Sequence, residues 1–579
     1  MSNRRLPIVL VLLALFVGAA AAGNRELRSA AGVQEPAVAA LMPAANVRSS
    51  AWYCAGGPVT KTASADRITI TNVGTVAVPA AVDVLVASSP IKERLVNVGA
   101  RRSMTITVAS LSRDPAAAIV VQPLGAGIVV AQGFSVNGDI AAIPCATRTA
   151  SDWYFASGTS TSATQMSLSL LNPYQVDTVV DVDAFSENGL RVPSTLQGLV
   201  VRAHSRLVVR IDQAVAQQKI VALAVRSRND QRISATQSVV HAHASSSDAS
   251  LSLGALAPAR TWMFADDRSR QSSVQQLVLA NTGNTDANVR VSLVSDLSTL
   301  IQPRAVKVPP ATAVAVDLSR AVPAGGTYTL VVSSPVPVVA ETRITYTAGS
   351  GLAGLVTETG TTTAMPRWWF AGGPFSASGL GAGGPRVPDG YDLAVVMAVG
   401  ATDAQIAEVR HAVQQDGHVE SFKAVARKDA LAAFLAANRD NPALVTGMNE
   451  SKVAASFAVK AKSASFISLL RRRLAAHSGV AQVLLATGQK PPVTDAVVVF
   501  NPGPRVVRVT LVALANGTEL RVPGMSGITI APNRQATVSL LAVSQPAAAV
   551  RVTASGPVVA ERFIALPTGT TRAPGVPGS

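Results

Sequence analysis

The chain is short of the residues that most chemistry needs. Its 579 residues include two cysteines, six histidines, five tryptophans and six tyrosines. Aromatics make up 4% and charged residues 15%, against 48% hydrophobic. So much apolar content with so little charge excludes a disordered chain and a coiled coil. Past the first two dozen residues, no apolar run approaches the length of a membrane span, which excludes a polytopic membrane protein. There is no Gly-x-Ser-x-Gly elbow, no phosphate-binding P-loop and no Cys-Cys-His cluster. The expectation is a non-enzymatic protein of about three to five domains, without catalytic residues, metal or cofactor.

Fifty Lys and Arg against 34 Asp and Glu leave a net charge of +16. Two readings stand: attraction to anionic surfaces such as wall polymers, or a basic composition scattered singly over the surface. No dense basic run and no aromatic–basic interleaving occurs, so nucleic acid is not expected as a partner.

The N-terminus reads Arg4-Arg5, an apolar stretch from Leu6 to Val17, then Gly18-Ala19-Ala20-Ala21-Ala22-Gly23. Basic, apolar and small-residue parts in this order form an export signal. Leu6 to Gly23 is also just long enough to span a bilayer, so residues 1–23 are either a cleaved signal or a membrane anchor. Both readings place the rest of the chain outside the cytoplasm, with residues 24–49 as linker. In that oxidising setting Cys54 and Cys145 are expected to pair. The closed loop of about 90 residues would contribute about 4 kcal/mol in the chain-entropy model.

All five tryptophans fall in one recurring motif: Trp52-Tyr53-Cys54-Ala55-Gly56, Trp153-Tyr154-Phe155-Ala156-Ser157, Trp262-Met263-Phe264-Ala265-Asp266 and Trp368-Trp369-Phe370-Ala371-Gly372. Asn72, Asn172 and Asn281 follow their Trp by 20, 19 and 19 residues, but Asn501 follows its Trp by 133. A late Val-Val-Ala strand ends at Gln132, Glu341 and Glu561, with a degenerate copy around Thr236. Both later markers give the fourth unit an insertion of about 113 residues. Within the units, Val289, Val291 and Leu293 alternate with Arg290 and Ser292, the period of half-buried strands.

The expected fold is mainly β: four tandem immunoglobulin-like β-sandwich repeats, with an α+β (split βαβ) domain inserted in the fourth. The boundaries read 50–148, 150–257, 259–365 and 367–388 plus 491–567, with 389–490 as the insert and 568–579 as a disordered tail. The Trp motif reads as a core plug on the first strand; the alternative is an exposed aromatic platform for sugars. Cys54 stands where the other units carry Phe155, Phe264 and Phe370, which predicts an inward bond to the end of its own unit. The arrangement resembles a family of exported actinobacterial proteins of unknown function, which implies no activity.

The segment from 387 to 490 differs in character and holds six of the ten lysines. Its pattern predicts a strand at 391–399, a helix from Thr402-Asp403 to Gln415, and a strand at 418–425. A helix at 428–438, a strand at 454–460, a helix at 463–476 and a strand at 480–485 follow. Ala401-Thr402-Asp403-Ala404-Gln405-Ile406, Val419-Glu420-Ser421-Phe422, Lys428-Asp429-Ala430-Leu431, Asn441-Pro442-Ala443-Leu444, Ala455-Ser456-Phe457-Ala458-Val459 and Gly479-Val480-Ala481-Gln482-Val483 occur in this order. The series resembles the extracellular domain of the cell-division permease FtsX, although Val453-Ala454 replaces that family's usual Leu-Pro pair. The resemblance implies an apolar helical lobe that binds an envelope partner linked to peptidoglycan remodelling. Its counterparts here are Phe434, Leu435, Leu444, Val445 and Met448, and the competing reading is that these residues close the domain's own core.

Three other groups suggest chemistry only faintly. His241 and His243 share a strand face, Asp181 and Asp183 with Glu187 suggest a calcium loop, and Glu341 with Glu561 suggests paired carboxylates. Each reads more simply as structural. The expected protein is therefore an envelope scaffold or binding protein, with a carbohydrate-binding or adhesion role through sandwich aromatics as the alternative.

Overall fold

The computed structural model describes residues 40–42 and 50–578, apart from 60–63, 88, 137–138, 243–246, 269–272, 296–299, 320, 322–326, 347–353, 373–386, 388–389, 399, 438–448, 486–493, 516, 521–523, 541–548 and 567–568. Residues 38–579 form one compact body. Antiparallel sheet dominates it. No helix among the described residues is long and apolar enough to cross a membrane. The apolar stretch at 6–23 lies outside the described residues.

The first unit has two four-stranded sheets. One runs in the order Trp52–Cys54, Ala118–Pro123, Val78–Leu85, Lys92–Val98. The other runs Ser103–Thr107, Ser64–Asn72, Ile128–Val136, Asp139–Pro144. Val82, Val84, Ile119 and Val121 of one sheet meet Ile68, Ile70, Val130 and Ile140 of the other in one core. Alternate β-branched residues make this packing, because every second side chain of a strand faces the same way.

The second unit repeats the order. Asp152–Gly158, Val221–Ser227, Thr178–Ser186 and Gly189–Arg191 form one sheet. Ser205–Arg210, Thr164–Asn172, Ser234–Ala242 and Ser247–Leu253 form the other. In the third unit the two successive strands that cross between sheets fuse into one strand, Thr327–Tyr346. Its first half pairs with Ala259–Arg268 and its second half with Ser273–Asn281 and Gly354–Thr359.

In the fourth unit Ala549–Leu566 plays the same part. Its first half pairs with Met365–Phe370 and Val507–Ala515, and its second half with Thr494–Asn501. Strands that lie 123 residues or more apart in sequence, before and after the α+β segment, thus share one sheet system. The α+β segment has its own sheet, ordered Val419–Val425, Ser456–Ala461, Leu393–Met397, Val480–Leu485, all antiparallel. Helix Asp403–Gln415 buries Val409 and Val413 on it, and helix Ile467–Ala475 buries Leu470 and Leu474. The first helix starts where the sequence says: Thr402 and Gln405 form a capping box, which satisfies amides the helix cannot.

The units do not stand in an open row, as the sequence reading had them. The last strand of each packs on that of the next, 139–144 on 247–253, 247–253 on 354–359, and 354–359 on 569–574. Strand 569–574 then packs back on 139–144, which closes the cycle. The expected disordered tail at 568–579 is therefore corrected. Gly569–Pro574 and Val576–Gly578 are strands, and Thr570, Thr571, Arg572 and Val576 are buried. Their small polar composition has the look of a loop, and neighbouring strands bury it.

Candidate functional site

The repeated markers are structural. Trp52, Trp153 and Trp262 have no exposed surface and Trp368 has 1%. The indole N–H of Trp153, Trp262 and Trp368 donates to Ile233 O, Val338 O and Val558 O at 2.8–2.9 Å. The platform reading loses these residues, and among the described residues Tyr174 is the one exposed aromatic, at 37%.

Each Asn is fully buried and clamps a turn the same way. Its amide Nδ2 donates to the carbonyl four residues on: Asn72 to Val76, Asn172 to Val176, Asn281 to Thr285 and Asn501 to Arg505, all at 2.7 Å. The same nitrogen also donates to Val98 O, Val201 O, Val308 O and Ile530 O. Asn suits the place because one side chain supplies both a donor fork and an acceptor.

Cys54 and Cys145 are bonded, across 91 residues. In the other units a Phe–Gly pair takes the place of the bond. Isolated bridges Tyr53↔Ala146, Tyr154↔Ala255 and Met263↔Thr361 set the register, as does the pair Trp369↔Val576. One step along are Phe155 over Gly254, Phe264 over Gly360 and Phe370 over Gly575, where a glycine Cβ would fall 2.7, 2.7 and 2.9 Å from the phenyl ring. Gly254 and Gly360 each precede the next Trp by eight residues, as Cys145 does. That spacing was available in the sequence and was missed.

Three of the four late-strand polar residues join neighbouring units, while Gln132 accepts from Gly56 N of its own unit. Thr236 Oγ1 donates to Gly56 O at 2.8 Å. Glu341 Oε2 accepts from Ser157 N at 2.6 Å, and Glu561 Oε1 from Ala265 N at 2.7 Å. The two glutamates thus serve different junctions and form no carboxylate pair. Burial pushes the Glu341 carboxyl up to about 7, against the opposing pull of Thr359 and the amides of Ser157 and Ala156. Asp139 gathers three units: its oxygens accept from Ile140 N at 2.8 Å, Ala249 N at 2.6 Å and Thr570 N at 3.3 Å. Gly354 of the third unit lies against it with φ +114°, and a Cβ there would fall 2.9 Å from its Oδ1. Burial pushes Asp139 well above the usual carboxylate range.

The remaining weak signals resolve as surface pairs. Asp181 and Asp183 bind Arg228 and Arg226 at 2.6 and 2.7 Å. His241 Nδ1 lies 2.8 Å from Thr164 Oγ1, and His243 lies outside the described residues. Among the described residues no group of three His, Cys, Asp or Glu is placed to hold a metal.

The α+β segment presents a cleft of about 420 Å³ between helix Asp403–Gln415 and the start of helix Arg427–Ala437, lined by Ile406, Arg410, Arg427, Glu450 and Phe457 among others. Leu435 on the second helix is exposed at 36%. Phe434 is on that helix, but its side chain lies outside the described residues, as do Leu444, Val445 and Met448. At the far end of the segment Asp416 binds His418 and Arg473. Burial opposes its ionisation, but those two partners outweigh it and hold the carboxyl below its usual range.

Residues 391–489 match the FtsX extracellular domain. A family of unknown function (DUF5719) matches residues 122–369, from inside the first unit to the Trp strand of the fourth. No curated protein matches the chain. Two of the similar solved structures are Thermotoga maritima 1070, at 24% identity over 18% of this chain and 93% of that one (TM-score 0.17), and the Anabaena sensory rhodopsin transducer, at 20% identity over 15% and 95% (TM-score 0.14). A tetra-tandem repeat of a large adhesion protein shares 10% identity over 90% and 97%, with a TM-score of 0.09. Scores this low carry nothing about fold or function. The FtsX-type domain is the part of the chain whose likeness bears on function.

Proposed function

We propose that the chain is an exported, non-enzymatic cell-envelope binding protein, in which four immunoglobulin-like sandwich units serve as a rigid platform for the FtsX-type domain. The domain presents its helical lobe to an envelope or division protein linked to peptidoglycan remodelling. Phe434, Leu435, Leu444, Val445 and Met448 are the candidate contacts. The observation that carries this reading is the match at 391–489, and the exposed Leu435 supports it. Residues 1–23 serve as signal or anchor, which places the body outside the cytoplasm and leaves the membrane as a second partner if the segment is uncleaved. The positive net charge fits an anionic wall polymer as a further partner.

The test is in-cell crosslinking of the full chain, compared with Leu435→Glu and with Phe434→Glu. Loss of one defined envelope protein from the crosslinked set, with the chain still exported and folded, supports the assignment. An unchanged set in both variants refutes it.

A further inference from the structure

Three of the four junctions between units are crossed by the chain itself, through residues 145–151, 254–258 and 360–364. The junction between the fourth unit and the first has no such linker, and residues 40–42 and 576–578 meet there. The terminal strand Val576–Gly578 pairs with the Trp strand of the fourth unit: Trp369 opposite Val576, Trp368 opposite Pro577, Arg367 opposite Gly578. On its other side Met42 N donates to Pro577 O at 2.8 Å. The preceding amide, Leu41 N, donates to Thr147 Oγ1 at 2.9 Å, just past the disulfide of the first unit. Ala40 and Val576 are both buried in the core cluster that the first and fourth units share.

The same junction receives the stem of the FtsX-type domain. The Trp strand Met365–Phe370 runs on into Ala371 and Gly372, and Gly372 N donates to Thr71 Oγ1 of the first unit at 3.1 Å. The returning strand enters at Asp495, which Arg562 grips at 2.7 and 2.9 Å. A further nitrogen of Arg562 donates to Ala371 O at 3.4 Å.

We propose that residues 40–42 and 576–578 form a strap that holds the cycle of units closed at this seam. The strap does by hydrogen bonds what a covalent linker does at the other junctions. Three register pairs to the Trp strand, the amides of Leu41 and Met42, and the apolar contacts of Ala40, Met42 and Val576 with the shared core hold it in place. Because the domain's stem leaves from the strand that the strap grips, release of the strap loosens the stem as well.

Hydrogen exchange on the full chain tests this, comparing the native sequence with Met42→Pro, which removes the donor to Pro577, and with a chain ending at Gly575. The expected result is at least tenfold faster exchange for peptides holding Ala142, Gly372 and Thr570, with native rates for those holding Ser157 and Ala265 at the other junctions. Native rates at the seam in both variants overturn the proposal, as does equal acceleration at every junction. If the truncated chain does not fold, Met42→Pro and Leu41→Pro decide the matter alone by the same criterion.

Discussion

Phe264 lies over Gly360 so closely that a Cβ on the glycine would fall 2.7 Å from the phenyl Cζ. The pair stands in the third unit where Cys54 and Cys145 are bonded in the first. Gly360→Ala therefore forces a shift in a packed core and should cost about 1–3 kcal/mol. Thermal unfolding of the variant should show a lower midpoint, and an unchanged midpoint would contradict the packing described.

The equivalence also runs the other way. In the second unit, Phe155→Cys combined with Gly254→Cys should form a new disulfide without forcing the backbone, since Cys54 and Cys145 do so at a Cα separation of 4.8 Å in the same register. Intact mass under denaturing, non-reducing conditions should show four bonded cysteines. Two free thiols would mean that the units are not superposable at this point.

The Asn clamp should be sensitive to chemistry more than to size. Asn281→Asp replaces an amide donor with a carboxylate facing Thr285 O and Val308 O, and should destabilise by more than Asn281→Ala, itself costing about 1–3 kcal/mol through buried unpaired groups. Denaturant midpoints of the two variants measure the order. An aspartate variant as stable as the native chain would contradict the assigned hydrogen bonds.

Glu341 gives the junction between second and third units a pH dependence. Its folded pKa, at about 7, is above the ordinary carboxyl value of 4.5, because burial disfavours the charged form. Between these values the folded state keeps a proton that the unfolded state has lost, so stability falls as pH rises through the window and levels off above it. The loss is on the order of 3 kcal/mol. Glu341→Gln, neutral throughout, should flatten this part of the stability–pH curve. A variant curve parallel to the native one from pH 4.5 to 7 would remove Glu341 as the cause.

The parts of the fold that local pattern dictates were legible in the sequence. The Trp and Asn markers fall on buried strands and turns, and a period change together with the Thr402 cap located the α+β segment, whose last strand falls where expected at Val480–Leu485. The closure of the cycle was not legible, because Asp139 meets Thr570 and Ala142 meets Thr571 across more than 400 residues, with no motif of their own. The buried tail escaped for the same reason: Gly569-Thr570-Thr571-Arg572 has the composition of a loop and is ordered only by its neighbours. Of the candidate contact residues, the sequence placed Phe434 and Leu435 on a helix and the structure exposes Leu435, while Leu444, Val445 and Met448 lie outside the described residues.

Ala549–Leu566 holds strands that precede and follow the FtsX-type domain. Replacing residues 387–490 by a short flexible linker and recording thermal unfolding tests this directly. The expected result is a folded, cooperative chain with its disulfide formed and a midpoint within a few degrees of the native body. Loss of cooperative unfolding on removal of the domain would contradict it.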